Sequence, residues 1–345
     1  MKWIISHQSA LEFWRRTSAK DALAGNKLRN LNPSATPLLT GDLLNEKFWN
    51  LTLPLHVLVG GNNARKKHQS LQCHISSGEF PSGSFIRMGS GLIVSSPELC
   101  FLQMAGELSL IEIVSLGFEL CGSYRLNKEN ATGQDVISKG FRSDLPLTSA
   151  AKLNSYTIKA VHIKGCKNAR RAIGFIIDRA ASPMETILTM LLTLPYRFGG
   201  YGFPKPILNF GINIPQSAGE SNSIFPVIIT IDYKGSITES KNISAEKSKY
   251  FCDLFWSDKK IALEYDSDEY HTGSSRIEKD AIRRNKLAST GVTVVTASRR
   301  QVYDSEKMRA LAEVLSKLLG KRIRFQEKAF LSKNTKLLEY LVKRD

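Results

Sequence analysis

No stretch of this 345-residue sequence carries the roughly 18 uninterrupted apolar residues that a membrane helix needs. The opening "MKWIISHQSALEFWRR" is interrupted by His7, Gln8 and Glu12 before an apolar run of signal-peptide length develops. The expectation is a soluble chain with no membrane partner. Cysteine is sparse: Cys73, Cys100, Cys121, Cys166 and Cys252 stand far apart with no Cys-x-x-Cys pair. That speaks against a disulfide framework or a thiolate zinc site and makes a reducing cytoplasm the expected compartment. Acids are short against bases, 32 to 48, giving a formal net charge of +16. Such a surface attracts polyanions, nucleic acid above all, with anionic membrane as the other class. The glycines of "GGNN" and "FGGYGFP" lack the phosphate-loop pattern Gly-x-x-x-x-Gly-Lys-Ser/Thr, and neither Gly-x-Ser-x-Gly nor His-Glu-x-x-His occurs. No internal repeat is visible.

What is present is a foldable composition, 42% hydrophobic and 23% charged, in a chain long enough for two domains. Residues 1–140 read as a smaller mixed α+β domain, with a helix at "SALEFWRR", strands at "LPLHVLVGG", "LQCHIS" and "SGLIVSS", and Pro97 at the first turn of a helix. The polar, turn-rich "RLNKENATGQDVISKGFRSDLPLT" reads as a linker. Residues 141–165 then hold the end of the linker and a first helix, and 166–320 a second domain. Its pattern is helices, antiparallel strands ("PILNFGINI", "IFPVIITIDY", "KYFCDLFW", "IALEYDS"), a helix over "SSRIEKDAIRRNKLAST", a strand "GVTVVTAS" and a last helix. This describes an α/β fold, a mixed sheet flanked by helices. Residues 321–345 form a basic tail in which "TKLLEYLVKR" suits a short amphipathic helix.

Two strands around "SDKK" pair as a hairpin with Trp256 opposite Ile261, Leu254 opposite Leu263 and Asp253 opposite Glu264. Alternation then places Phe251, Asp253 and Phe255 on one face with Glu264 and Asp266, and Leu254, Trp256, Ile261 and Leu263 on the other. Carboxylates directly across a strand pair sit about 4.5–5.5 Å apart at Cβ and repel. Protonation of one, a bridging arginine or a divalent cation can each compensate, and the cation turns the repulsion into a site. The bland alternative is a solvated face paired with Lys259, Lys260 and neighbouring bases.

In order along the chain, "SPMET", "CDLFW", "EYDSDEYH" and "DAIRR", followed by the strand "GVTVVTAS", resemble the PD-(D/E)XK, or restriction-endonuclease-like, nuclease superfamily over about residues 180–305. The nearest branch is that of the very-short-patch-repair endonucleases, with Ser-Pro-x-Glu, Asp-φ-x-φ, Glu-φ-Asp-Gly-x-x-His and Asp-x-x-Arg. The resemblance implies that Asp253 and Glu264 hold Mg²⁺ or Mn²⁺ and that Glu185 adds a carboxylate or orients a water. It makes His271 a proton shuttle and Asp280, with Arg283, an outer support or phosphate contact. Asp266 stands where many superfamily members carry a lysine, and Ser267 replaces the usual glycine. The front half, through "HVLVGGNNARKKHQSLQCHIS" and "GLIVSSPELCFLQMA", resembles AbiEi-type antitoxins, which implies a DNA-binding or regulatory domain and a protein partner.

Arg65, Lys66 and Lys67 form a basic run suited to phosphate, as do Arg283 and Arg284, since arginine binds phosphate in bidentate fashion. His56, His74 and His162 lie in strand-like runs and read as ordinary packed or surface residues. The expected function is a metal-dependent endonuclease hydrolysing DNA phosphodiesters in prokaryotic defence or a toxin–antitoxin setting. Its alternative is a noncatalytic DNA-binding regulator on a nuclease-like scaffold.

Overall fold

The computed structural model describes residues 4–29, 31, 33, 51–65, 67–76, 79–88, 92–127, 140–215, 247–266, 287, 289–323 and 328–342. The chain is α/β and divides into two compact units, Met1–Phe203 with Ile323–Asp345, and Pro204–Arg322. The division falls at Phe203, well beyond the expected linker, and the first unit is the larger one.

The first unit begins with β1 (Ile4–Ile5), α1 (His7–Arg16), α2 (Ala19–Ala24) and β2 (Asn26–Leu28). Strands β3 (Leu55–Val59), β4 (Leu71–Ile75), β5 (Phe85–Arg87) and β6 (Ile93–Ser95) complete a six-stranded sheet in the order β2-β5-β6-β1-β3-β4. Pairing is parallel at β6/β1 and β3/β4 and antiparallel elsewhere. Ser96 caps α3 (Pro97–Ala105) through the Leu99 amide, with Pro97 at the first position as expected. Every residue of α3 is buried, which is how an apolar helix with no polar face sits in a globular unit. Around it pack α1, α4 (Leu110–Cys121), α5 (Ala150–Lys159) and α6 (Cys166–Ile173). Gly117 of α4 permits close contact, since a Cβ there would lie 2.1 Å from the Ile176 side chain.

The expected linker is instead structured at both ends. β7 (Tyr124–Leu126) pairs antiparallel with β8 (Phe141–Ser143). Arg125 is fully buried and donates to the backbone carbonyls of Glu119, Gly122, Tyr124 and Leu145. A charged residue in a polar stretch looks exposed in sequence; here its guanidinium satisfies carbonyls at the end of α4. Helix α5, expected beside the linker, and helices α6 and α7 (Pro183–Thr193), expected as the start of the second domain, share the core of the first because α5 and α6 pack on α3, and α7 on α4. Nor is the tail a loose appendage. Helix Lys328–Val342 buries Phe330, Asn334, Leu337, Leu338 and Leu341 against α7, and Asn334 donates to the Gly199 carbonyl at 2.7 Å.

The second unit holds β9 (Ile207–Pro215), β10 (Lys247–Trp256), β11 (Ile261–Asp266) and β12 (Thr293–Ser298) in the order β12-β11-β10-β9. The β11/β12 pair is parallel and the other two are antiparallel, so the sheet is mixed, as the strand order suggested. Short α8 (Arg299–Tyr303) and α9 (Ser305–Leu319) follow, α9 burying the stripe Met308, Leu311, Ala312, Leu315 and Leu319. The expected strand "IFPVIITIDY" and most of the helix over "SSRIEKDAIRRNKLAST" lie outside the described residues. Among the described residues no helix is long and apolar enough to cross a membrane.

Candidate active site

The hairpin forms in the expected register: Trp256 faces Ile261, Phe255 faces Ala262 and Leu254 faces Leu263. Ser257–Lys260 make the four-residue loop, with Lys260 at φ +51°. Leu254, Trp256, Ile261 and Leu263 are all buried, so one face of the hairpin is core.

Past Leu254 and Leu263 the β10–β11 ladder stops, one step short of the acids, while β11 stays paired with β12 as far as Asp266. The two strands therefore fork at Asp253 and Glu264. Into the fork goes the Asp253 carboxylate, whose Oδ2 accepts the Tyr265 backbone N–H at 2.8 Å. A side chain thus replaces the main-chain acceptor that a continued ladder would have supplied.

On its other side, β10 pairs with β9 on both flanks of the same residue, Cys252 with Phe210 and Leu254 with Leu208, with Asn209 opposite Asp253. Asn209 is left-handed at φ +49°, a region few non-glycine residues occupy and asparagine enters most readily. Along β10 the faces change phase across Asp253. Phe255 shares one core cluster with Cys252, Ile212 and Ala262, and Phe210 stacks on Phe255 at 4.8 Å and 7°. Strict alternation would have separated Cys252 from Phe255 and placed Phe251 beside it; Phe251 is instead 49% exposed. The shared face expected for Phe251, Asp253 and Phe255 is corrected accordingly: Cys252 and Phe255 share the core cluster and Phe251 faces solvent.

Asp253 and Glu264 are half-buried and Asp266 is exposed at the end of β11. The site runs from a dry hairpin end to open solvent over a few residues. Two carboxylates at a sheet fork are hard oxygen donors, the set that suits Mg²⁺ or Mn²⁺ better than softer ions.

Glu185 sits at the first turn of α7 in the first unit. Its spacing after Ser182 predicts a cap, and it forms one: Ser182 Oγ accepts the Glu185 N–H at 3.1 Å, and the carboxylate accepts the Ala181 N–H at 2.8 Å and the Ser182 hydroxyl at 3.1 Å. Arg65 and Lys67 are exposed, as a phosphate-contacting run requires. Lys66, His271, Asp280, Arg283 and Arg284 lie outside the described residues.

Two sets of residues are not marked by motif spacing. Asn209 is one; its only signal is a turn-favouring residue in the middle of an apolar strand, "PILNFGINI". The other is a group of histidines in the first unit: His74 hydrogen-bonds His56 and stacks on His7, and Glu107 stands beside them. His162 is not in a strand but in the turn after α5. No family model matches the chain, and no curated protein or solved structure matches it.

Proposed function

We propose that the chain is a metal-dependent endonuclease acting on DNA, with its chemistry at the β10–β11 fork. The observation that supports this reading is the interruption of a well-formed ladder at Asp253 and Glu264. An ordinary hairpin would continue, and a solvated pair of acids would not require the Asp253 carboxylate to stand in for the backbone. Asp253 and Glu264 hold the ion, with Mg²⁺ as the fitting choice for oxygen ligands that keep several waters. When bound, it supplies an activated water and offsets charge on the phosphate. Asp253, tied to the Tyr265 amide, is oriented before any ion arrives, so little rotamer entropy remains to be lost. His271, Asp280, Arg283 and Arg284 keep the roles that the resemblance implies, and Arg65, Lys66 and Lys67 add affinity through phosphate contacts. A cytoplasmic defence or toxin–antitoxin setting, with a protein partner for the front domain, belongs to the same reading.

Asp266 favours the second reading, a DNA-binding regulator that does not cut, because an acid ends β11 where a lysine would stabilise the developing phosphate charge. Incubating the purified chain with supercoiled plasmid in Mg²⁺, in Mn²⁺ and in EDTA separates them. Metal-dependent nicking lost in both Asp253→Asn and Glu264→Gln is expected of the nuclease. Salt-sensitive binding without nicking in either metal would establish the regulator instead.

A further inference from the structure

We infer that the first unit carries a second metal site, for a divalent transition ion of the zinc class, built from His7, His74 and Glu107 and supported by His56. It does not depend on the nuclease reading. The ligating atoms of these three residues all lie within 4.8 Å of one another. They come from three elements: His7 opens α1, His74 is on the edge strand β4, and Glu107 follows α3. All three line a cavity of about 580 Å³ that Cys73, Gln103 and His162 also reach, so a bound ion would retain room for a further ligand.

Three features suit an ion. His74 Nδ1 and Glu107 Oε1 stand 3.8 Å apart. That is too long for a hydrogen bond, and close to the separation of about 3.4 Å kept by two ligands each about 2.1 Å from a tetrahedral ion. The other ring nitrogen of His74, Nε2, lies 3.0 Å from His56 Nδ1. If His74 donates that proton, its Nδ1 lone pair is left facing the carboxylate, which is the tautomer a metal takes, with an outer partner fixing the ring. Finally, the His7 ring stacks on His74 at 3.5 Å and 12°, a contact that disfavours charge on both rings and so favours the neutral form that ligates. Burial, the neighbouring histidines and Lys164 hold His7 down to about 2 and His74 to about 4.

His7 is also held in an uncommon backbone state. Its φ is +47°, and the surroundings fix it there: its N–H donates to Gln103 Oε1 at 3.1 Å, and its carbonyl accepts the buried Cys100 thiol at 3.7 Å. Strain maintained by buried partners is typical of positions that place a functional side chain. In the stacked pair the ring planes are nearly parallel, so one imidazole must turn about χ2 for both lone pairs to meet one ion. His7, whose Nδ1 lies 3.0 Å from the Ser6 hydroxyl, is the ring that turns.

The test uses the full chain stripped with chelator and titrated with Zn²⁺ against a competing indicator, then with Co²⁺ to read visible absorption. The expected result is one Zn²⁺ per chain at micromolar affinity or tighter, unaffected by millimolar Mg²⁺, with a Co²⁺ spectrum of low coordination number. Glu107→Gln, at an exposed position where misfolding is not expected, should weaken Zn²⁺ at least tenfold, and His74→Gln more. His56→Gln should weaken it about 10- to 100-fold while leaving the stoichiometry unchanged. His68→Gln is the control and should change nothing. Absence of Zn²⁺ binding at 100-fold excess, or tight binding untouched by both Glu107→Gln and His74→Gln, overturns the inference.

Discussion

If the Asp253 carboxylate both closes the fork and binds an ion, two substitutions at that one position must separate the two tasks. Asp253→Asn keeps a carbonyl oxygen within reach of the Tyr265 N–H, which donates to Asp253 Oδ2 at 2.8 Å, but removes the negative charge. Asp253→Ala removes both. Losing the acceptor of a buried amide costs about 1–3 kcal/mol, and the half-exposed fork puts this case near about 1 kcal/mol. In EDTA, Asp253→Asn should therefore unfold in urea within about 0.5 kcal/mol of the parent, with Asp253→Ala about 1 kcal/mol lower. Hydrogen exchange of the Tyr265 amide should quicken in the alanine variant alone. Added Mg²⁺ at 100 times its dissociation constant stabilises a one-site protein by about 2.7 kcal/mol, and both variants should lose that gain together with nicking. An asparagine variant that still nicks and is still stabilised by Mg²⁺ would refute the ion-binding role. Equal stability of the two variants in EDTA would refute the role of the hydrogen bond.

Replacing Asn209 by Gly should be tolerated and by Val should cost about 1–3 kcal/mol and reduce nicking, since its φ of +49° excludes β-branched residues; urea titration and the plasmid assay read both. In the first unit Arg15 donates to both Glu119 oxygens at 2.8 and 2.6 Å in a buried pair, so Glu119→Ala leaves a buried guanidinium and should cost about 3–5 kcal/mol in denaturant unfolding. With metal removed, stability should fall as the pH is lowered. His7 and His74 are held neutral below their ordinary 6.5, so below that pH the unfolded chain binds protons that the folded one refuses, down through about 4 for His74 and about 2 for His7. The slope is at most about 1.4 kcal/mol per pH unit for each group, with no loss above pH 6.5, and His74→Gln should flatten it; a flat parental profile between pH 7 and 4.5 would contradict the burial of neutral imidazoles. DNA affinity should fall steeply with salt, and Arg65→Ala with Lys67→Ala should lower the logarithmic slope by about 2 if each meets one phosphate, measured by fluorescence anisotropy from 50 to 200 mM salt.

The hairpin register was legible because turn residues and two apolar faces fix it together: a slip by one residue would bury Asp253 or Glu264 and expose Leu254. The fork was not legible, because it is closed by a side chain, the Asp253 carboxylate accepting the Tyr265 N–H, and alternation rules assume that the main-chain ladder continues. Caps were legible for a local reason. Ser182, Pro183 and Glu185 interact within one turn, so their spacing alone specifies the contact. The domain boundary failed for the opposite reason. The periodicity of α5, α6 and α7 announces an apolar stripe but does not name the core that receives it, and burial against α3 and α4 assigned them to the first unit. Arg125 misled in the same way, since charge in a polar stretch suggests exposure and only the folded chain supplies the carbonyls that bury it.

The histidine group shows where sequence pattern stops carrying information about sites. His56 and His74 become neighbours because β3 and β4 pair in parallel with Leu58 opposite His74, a contact no local spacing encodes. His7 reaches them only because α1 begins at a left-handed residue clamped by Gln103 and Cys100 of α3. Apolar side chains would pack this place with less difficulty than imidazoles kept neutral beside a carboxylate and Lys164. Groups that oppose folding in acid and require a strained backbone are retained most readily where they bind something, and uncharged imidazoles facing a carboxylate bind a cation.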